Sequence, residues 1–184
     1  MLLDTPICDY GRKAPEFTLK DAYGKSFTMS DHLGNRGLLI AFICNHCPYV
    51  QRIAKQLADD TTLLMNEGIN VLAIMSNDYR AVEEDSPENM KKFAQENNFK
   101  FSYLIDEDQS VGKEYGAVCT PDFFGFNSNG ELQYRGRLDN YSKSDLDITR
   151  NPELLNAMRL IAQTGNGPKE QIPSMGCSIK WRDN

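Results

Sequence analysis

The feature that most constrains the fold is an uninterrupted apolar run, Leu38 to Ile43, followed by a helical pattern. Such a run is typical of a strand that is buried on both faces of a sheet. From Pro48 to about Asn66 apolar residues recur close to helical spacing, and Gly68 favours a stop. A second apolar run, Ile69 to Met75, completes a strand–helix–strand unit. The order of elements therefore predicts an α/β protein with helices on both faces of a sheet.

Patterns on either side extend this unit. They predict an N-terminal hairpin over 17–28, a helix from 86, a strand at 101–105, a short helix at 110–115, a hairpin over 122–138 and a last helix from 151. The length of 184 residues suits one domain over 1–184. Residues 165–184 are rich in Gly and Pro and lack periodicity, so we expect an extended tail there.

The charge balance and the two chain ends exclude several classes of partner. With 20 basic and 26 acidic residues the net charge is −6, which argues against nucleic acid and against an anionic membrane. The longest apolar stretch is far shorter than the ~20 residues that span a bilayer. The first residues show no basic region before an apolar run, so no signal peptide is expected. We therefore predict a cytoplasmic protein.

Five cysteines and two histidines limit the chemistry. Five is an odd number and too few for a disulfide scaffold, and two histidines exclude a three-His metal site. The sharpest motif is Cys44-Asn45-His46-Cys47-Pro48, at the change from buried strand to helix. Two thiols three residues apart at a helix start can close a disulfide. The helix dipole stabilises a thiolate there, and His46 can add a cation or a hydrogen-bond donor.

A zinc half-site and a pair of structural thiols are the alternatives to a redox pair. Zinc would need two further ligands, and the sequence has no second CxxC motif and no His pair. His32 and Cys177 would complete a site only by an accident of the tertiary fold. The strand–CxxC–helix context favours thiol–disulfide exchange.

Three segments give this chain a family resemblance: FICNHCPYVQRI at 42–53, TPDFFGFNSNGELQYRGRLDN at 120–140 and GCSIKW at 176–181. The chain resembles thioredoxin-fold, peroxiredoxin-like proteins of the AhpC/TSA family, in the subgroup that contains CxxC, over about residues 10–181. The resemblance implies a thioredoxin-like fold with a central mixed sheet and a redox cysteine at the start of the first long helix. It also implies that Thr120-Pro121 is a cis-proline loop that faces the cysteines and positions the substrate.

The peroxiredoxin part of the resemblance is weaker. Those enzymes carry P-x-x-x-T-x-x-C and a later arginine, which orient peroxide and activate the thiolate. Aligning Cys47 with their peroxidatic cysteine places Cys44 at the threonine and Ile40 at the proline. The arginine position falls near Thr120-Pro121, so Arg135 or Arg137 would have to substitute. Dithiol exchange is favoured over efficient peroxide reduction.

The other cysteines receive less definite roles. Cys44 is expected to attack the substrate disulfide, since the first cysteine of such a motif is usually more exposed. Cys47 would then resolve the mixed disulfide. The two roles invert if the protein is a peroxidase. Cys177 is a candidate additional resolving thiol. Cys119 adjoins Thr120 and either lies near the pair or is a small buried residue. Cys8 is expected to be incidental, and Glu83-Glu84-Asp85 a solvated loop.

The sequence thus predicts a thiol–disulfide oxidoreductase with an antioxidant role. The Cys44–Cys47 pair would cycle with a redox-active disulfide, supported by His46, Thr120 and Pro121. Its substrates would be protein or small-molecule disulfides or peroxides. A thioredoxin-like or glutathione-like donor would supply the electrons. The protein would need no cofactor and no metal, and it would be a monomer or a homodimer. The alternatives are a thiol peroxidase with Cys47 peroxidatic and Cys44 or Cys177 resolving, and a copper or zinc carrier on the same fold.

Overall fold

The computed structural model describes residues 1–141 and 149–182, which form ten strands and five α-helices. The strands are β1 (Leu2–Asp4), β2 (Thr18–Asp21), β3 (Ser26–Thr28), β4 (Leu38–Phe42), β5 (Asn70–Met75), β6 (Ser102–Ile105), β7 (Cys119–Thr120), β8 (Asp122–Phe126), β9 (Leu132–Tyr134) and β10 (Met175–Ser178). The helices are α1 (Met29–His32), α2 (Pro48–Asn66), α3 (Pro87–Glu96), α4 (Ser110–Tyr115) and α5 (Glu153–Thr164), with a 3-10 turn at Glu83–Asp85.

The central sheet has seven strands in the order β3-β2-β6-β5-β4-β8-β9. Strands β4, β5 and β6 are parallel, and the remaining strands join through antiparallel pairs. The N-terminal hairpin predicted over 17–28 is β2–β3, and the hairpin predicted over 122–138 is β8–β9, with a shorter second strand. The mixed central sheet is confirmed.

Strand β4 is buried along its whole length because helices cover both faces of the sheet. Leu39 and Ala41 pack into a core with apolar residues of α2, α3 and α5. Leu38, Ile40 and Phe42 pack on the opposite face with residues of α1 and α4. This alternation is the physical reason that the sequence shows a continuous apolar run rather than a period of two.

A second sheet has the order β1-β10-β7, and its middle strand comes from the C-terminal segment. Residues 165–184 were expected as an extended tail, but within them β10 pairs antiparallel with both β1 and β7. Gln171 also donates to the carbonyl oxygen of Gln133 at 2.8 Å. The segment is therefore integrated into the fold through non-local hydrogen bonds that its lack of periodicity conceals. Residues 183 and 184 lie outside the described residues.

Among the described helices, none combines the length and the apolar character that crossing a membrane requires.

Candidate active site

The two motif cysteines lie in the connection between β4 and α2. Helix α2 begins at Pro48, and Cys47 is its N-cap. Proline suits the first helical position, since it has no N–H to leave unpaired and its φ is already helical. Cys44 therefore precedes the helix, whereas the sequence analysis placed both thiols at its start. The dipole of α2 acts most directly on Cys47.

Neither cysteine is open to solvent. Cys44 is 1% exposed and Cys47 is 0% exposed. The expectation that Cys44 attacks rested on a greater exposure of the first cysteine, and this structure shows no such difference. Roles must instead be argued from the groups that surround each sulfur.

The surroundings of Cys47 favour its thiolate. The Cys44 thiol, acting as a hydrogen-bond donor, is the main cause of a lowered Cys47 pKa, and it outweighs the opposing effect of burial. The Cys177 side chain and the backbone N–H groups of Cys177 and Val50 lower this pKa further. These donors stabilise negative charge on sulfur at the start of α2.

The surroundings of Cys44 have the opposite effect. Its hydrogen bond to Cys47 raises the Cys44 pKa, and burial and the negative charge of Asp85 raise it further. Only the Thr120 hydroxyl, 3.2 Å from Cys44 Sγ, lowers it. The two thiol pKa values are thus shifted in opposite directions, that of Cys44 upward and that of Cys47 downward.

Thr120 and Pro121 face the cysteine pair, and their peptide bond is cis, as the resemblance implied. Thr120 contacts both thiols. Its hydroxyl lies beside Cys44, and its carbonyl oxygen lies 3.3 Å from Cys47 Sγ and accepts the thiol hydrogen when Cys47 is neutral. The first residue of the proline loop is therefore the common neighbour of the pair.

Cys177 reaches the same place from the C-terminal segment. In the β7–β10 pair it is directly opposite Thr120. Opposed residues of an antiparallel pair project to the same face, so Cys177 lies on the side where Thr120 meets Cys44. We call the side of β7 and β10 that carries Thr120 and Cys177 the thiol face. The opposite side, to which Cys119 belongs because neighbouring strand residues alternate, is the reverse face.

Cys177 differs from the motif cysteines in exposure. It is partly exposed and packs against the core that contains Cys44 and Cys47. Gly176 permits this approach, since a Cβ at that position would lie 1.9 Å from the carbonyl oxygen of Thr120.

His46 projects from the motif onto a carboxylate that sequence reasoning missed. Asp85 is 0% exposed and accepts from the backbone N–H groups of Asn45 at 2.7 Å and His46 at 3.1 Å. Its other oxygen contacts His46 Nδ1 and the Asn77 amide. The prediction that Glu83-Glu84-Asp85 is a solvated loop is thus wrong for Asp85, whereas Glu83 and Glu84 are exposed. The acidic run carried no signal that separated Asp85 from its neighbours.

The Asp85 contacts shift two pKa values. Burial raises the pKa of Asp85, but hydrogen bonds from His46 and Asn77 outweigh it, and the net pKa is lowered. The hydrogen bond to Asp85 raises the pKa of His46 above its ordinary value. The result is a hydrogen-bonded Asp85–His46 pair that holds the backbone between the two cysteines.

Asn45, the other residue between the cysteines, is also fixed. Its side-chain oxygen accepts from the Tyr103 hydroxyl at 3.0 Å, and its amide donates to the Glu84 carbonyl at 2.9 Å. Gln51 of α2 donates to the Asn45 carbonyl at 2.8 Å. Together with Asp85, these bonds hold the loop from both sides.

The two candidate arginines have other partners. Arg135 pairs with buried Asp122 at 2.8 Å and stacks on Phe124, on the sheet face opposite α2. Arg137 pairs with Glu153 at 2.7 Å. Arg135 therefore does not replace the peroxiredoxin arginine at the thiols, because strand alternation directs it to the wrong face.

The remaining candidates lie apart from the thiol face or are already paired. Cys119 is fully buried on the reverse face, where burial and the charge of Asp122 raise its pKa to about 12. Burial also raises the pKa of Cys8 to about 11. His32 is the last residue of α1, and its Nδ1 atom lies 2.9 Å from the carbonyl oxygen of Thr28.

One group of metal-ligand atoms occurs among the described residues. Atoms of Cys44, His46 and Asp85 lie within 4.8 Å of one another. The carboxylate oxygens of Asp85 already receive the four hydrogen bonds described above, so a hydrogen-bonded network accounts for the cluster.

A groove of about 540 Å³ borders Pro121 on the side of α2. Its walls combine aromatic, basic and apolar side chains, among them Tyr49, Arg52, Arg137, Tyr141 and Met175. The groove offers an extended chain a surface beside the proline loop.

Known proteins are similar to this chain in sequence or in fold. Peroxiredoxin Bcp of Escherichia coli strain K12 is 29% identical over 120 residues, which is 65% of this chain and 72% of that protein. Thiol-disulfide oxidoreductase ResA of Geobacillus thermodenitrificans is 24% identical over 123 residues, which is 67% of this chain and 66% of that protein. The crystal structure of an uncharacterized conserved protein from Geobacillus kaustophilus is similar to this structure, with a TM-score of 0.93. The two sequences are 36% identical, and the match covers 100% of this chain and 98% of that one.

The arrangement of the central sheet, the thiols before α2 and the cis-proline loop matches the thioredoxin-like fold that the sequence implied. The profile of the AhpC/TSA family matches residues 10–135, well over half of the chain. The protein is therefore a member of the AhpC/TSA family.

Proposed function

We propose that this protein is a thiol–disulfide oxidoreductase in which Cys44 and Cys47 alternate between a dithiol and a disulfide. The observation that carries the proposal is the shared contact with Thr120, whose hydroxyl meets Cys44 and whose carbonyl meets Cys47. The opposite shifts of the two thiol pKa values, to which each thiol contributes through the other, support it. The named relatives, a peroxiredoxin and a thiol-disulfide oxidoreductase, agree with this class of chemistry.

Cys47 is the attacking group in this proposal, which inverts the roles expected from the sequence. The Cys47 thiolate attacks one sulfur of a substrate disulfide, and the other sulfur leaves as a thiolate that takes a proton. Cys44 then loses its proton and attacks Cys47 Sγ in the mixed disulfide. The substrate's second sulfur leaves as a thiolate, and the protein is left oxidised, with a disulfide between Cys44 and Cys47. A stabilised thiolate at a helix N-terminus suits the first step.

The loop contacts explain why the pair stays asymmetric. The charge of Asp85 favours the protonated form of Cys44, which then serves as hydrogen-bond donor to Cys47. His46 Nδ1 contacts the carboxylate of Asp85 next to Cys44. His46 and Asp85 are positioning residues in this scheme, and Thr120 and Pro121 place the substrate in the neighbouring groove.

The test is dithiothreitol-dependent reduction of insulin by the wild type, Cys47→Ser and Cys44→Ser. Cys8→Ser is the matched control, because Cys8 lies away from the pair. We expect Cys47→Ser to be inactive and Cys44→Ser to show little turnover, because it cannot form the Cys44–Cys47 disulfide. Equal activity in all four proteins would contradict the proposal.

A thiol peroxidase is the second candidate, favoured by the Cys47 thiolate and by the relationship to peroxiredoxin Bcp. Cys47 would attack the peroxide O–O bond, releasing water or an alcohol and forming a sulfenic acid. Condensation with the Cys44 thiol would release water and close the same disulfide. Stopped-flow mixing of the reduced protein with hydrogen peroxide decides it: oxidation no faster than that of a free thiol would remove this candidate.

Several finer predictions remain predictions. They are the antioxidant role, the cytoplasmic location, the thioredoxin-like or glutathione-like donor and the homodimer. The copper or zinc carrier is not supported, because the named relatives are thiol enzymes and Asp85 is engaged in hydrogen bonds.

A further inference from the structure

The Cys44–Cys47 pair poses a problem of access. The two residues are 1% and 0% exposed, so the reaction of either sulfur with an external thiol donor, as with the substrate disulfide, requires the groups that cover it to move. A catalytic cycle nevertheless needs electrons from such a donor. A third sulfur that lies beside the pair and is already partly exposed would offer the donor a route that needs no such movement.

Cys177 satisfies both conditions. It is directly opposite Thr120 across the β7–β10 pair and therefore lies on the thiol face. It packs against the core containing Cys44 and Cys47, and is itself partly exposed. Its side chain and its backbone N–H are also close enough to Cys47 to lower the pKa of that thiol.

The backbone around Cys177 is adapted to this position. Gly176 lies so close to the proline loop that a Cβ would meet the Thr120 carbonyl oxygen at 1.9 Å and Pro121 Cδ at 3.1 Å. That carbonyl is the one beside Cys47 Sγ. A residue with any side chain at position 176 would hold β10, and Cys177 with it, away from the thiols.

We propose that Cys177 is a relay thiol, which passes electrons from an external thiol donor to the buried Cys44–Cys47 disulfide. The inference rests on the function proposed above. Cys177 loses its proton and attacks Cys47 Sγ, breaking the Cys44–Cys47 bond; Cys44 leaves and is protonated. This produces a Cys47–Cys177 disulfide, of which Cys177 is the partly exposed sulfur.

The donor then completes the reduction from outside. A donor thiolate attacks Cys177 Sγ, and Cys47 leaves as its stabilised thiolate. A second donor thiol attacks the donor sulfur in the mixed disulfide and releases Cys177. Two donor thiols become one donor disulfide, and the protein gains two electrons and returns to three thiols.

This relay differs from a resolving role for Cys177. A resolving thiol acts during substrate turnover and would replace Cys44. The relay thiol acts after Cys44 and Cys47 have already formed their disulfide. The two roles predict different behaviour in Cys177→Ser, since loss of a resolver would leave oxidation incomplete, whereas loss of a relay would slow only the reduction.

The first experiment measures the rate at which reduced glutathione reduces the oxidised protein. The wild type, Cys177→Ser and the matched control Cys8→Ser are oxidised, and the Cys44–Cys47 disulfide is verified by peptide mapping under non-reducing conditions. We expect Cys177→Ser to form this disulfide fully but to be reduced at least about tenfold more slowly. Cys8→Ser should match the wild type. An unchanged rate in Cys177→Ser would overturn the relay.

The second experiment retains Cys177 and is independent of how well its serine variant folds. Cys44→Ser is oxidised with diamide, and its disulfides are mapped by mass spectrometry. We expect an intrachain Cys47–Cys177 disulfide in the monomer. Disulfides of Cys47 only with other molecules would overturn the relay. If the wild type forms no Cys44–Cys47 disulfide, the proposed function itself fails, and this result is distinct from both outcomes for Cys177.

Discussion

Cys119 and Cys177 lie on opposite faces of the same short β-ladder, and the contrast shows how the site is built. Cys119 directly precedes Thr120 in the chain, yet it belongs to the reverse face beside Asp122 and Arg135. Cys177 is far from Thr120 in sequence but opposite it across the ladder, and it joins Cys47 on the thiol face. Strand alternation and register, rather than sequence distance, decide which cysteines belong to the redox site.

A buried carboxylate lies beside the motif loop and another on the reverse face, and their pKa values are shifted in opposite directions. Asp85 supports the motif loop through four hydrogen bonds, and its net pKa is lowered. Asp122 follows Pro121 and pairs with Arg135, but burial raises its pKa to about 6. The motif loop is therefore held by a hydrogen-bonded network that reaches partly exposed His46, whereas the reverse face contains a buried ion pair.

The largest difference between the faces should appear when one thiol is removed from each. Cys47→Ser removes the stabilised thiolate, and we expect disulfide reductase activity to fall by about 10³-fold or more. Cys119→Ser should stay within about twofold, because the Cys119 pKa is raised by burial and its thiol does not react. Insulin reduction measures both. A loss in Cys119→Ser as severe as in Cys47→Ser would remove the distinction between the faces.

Removing the charge of each carboxylate tests the second part of the comparison. Asp85→Asn should lower the His46 pKa and reduce the unfolding free energy by about 2–3 kcal/mol, since buried hydrogen-bonding groups lose partners. Charged His46 stabilises the folded protein at pH values below the ordinary histidine pKa. That stabilisation is lost as pH rises through the raised folded pKa, so it should disappear in the variant.

Proton NMR can measure this shift directly, because the chain has only two histidines. His32 is the internal reference, and Asp122→Asn is the matched control on the reverse face. Asp122→Asn should leave the His46 titration unchanged even if it destabilises the core. An identical His46 titration in the wild type and Asp85→Asn would contradict the assigned network.

Gly176→Ala should separate β10 from the proline loop. The added Cβ would meet the Thr120 carbonyl, so we expect a loss of about 1–3 kcal/mol in unfolding free energy from overpacking. It should also reduce the yield of the Cys47–Cys177 disulfide in the Cys44→Ser background. Ser178→Ala, a change on the reverse face of the same strand, is the control. Undiminished crosslinking in Gly176→Ala would show that the close approach is not required.

The smallest effect is expected from Thr120→Val, which removes one hydroxyl from the thiol face. Without this hydrogen bond the Cys44 pKa should rise further. Reduction of insulin should slow by a few-fold, which corresponds to the loss of about 1 kcal/mol of stabilisation from the hydrogen bond. Thr18→Val, in the exposed Thr18–Thr28 pair, is the control. A faster reaction in Thr120→Val would contradict the contact assigned to Cys44.

Local patterns predicted a large part of this architecture. The buried runs of β4 and β5, helix α2, both hairpins and the Cys44–Cys47 motif follow from periodicity and spacing. The cis bond before Pro121 came from the family resemblance rather than from composition.

Features that depend on distant pairing were not predictable in the same way. The face of Cys119 and the position of Cys177 depend on the β7–β10 register, which joins segments with no shared local pattern. Asp85 looked like part of a solvated acidic run, because only the folded loop brings the Asn45 and His46 backbone to its side chain. The proposed attacking role of Cys47 was not predictable for a related reason: burial hides both thiols, and their neighbours in the fold shift their pKa values.

The measurement that tests the account most directly is the pH dependence of thiolate absorbance at 240 nm in the reduced protein. The account predicts one thiolate with a pKa well below that of an ordinary cysteine in the wild type. It should disappear in Cys47→Ser and persist in Cys44→Ser, where a serine hydroxyl can still donate to Cys47. A low-pKa thiolate that persists in Cys47→Ser and disappears in Cys44→Ser would contradict the assignment of Cys47 as the attacking group.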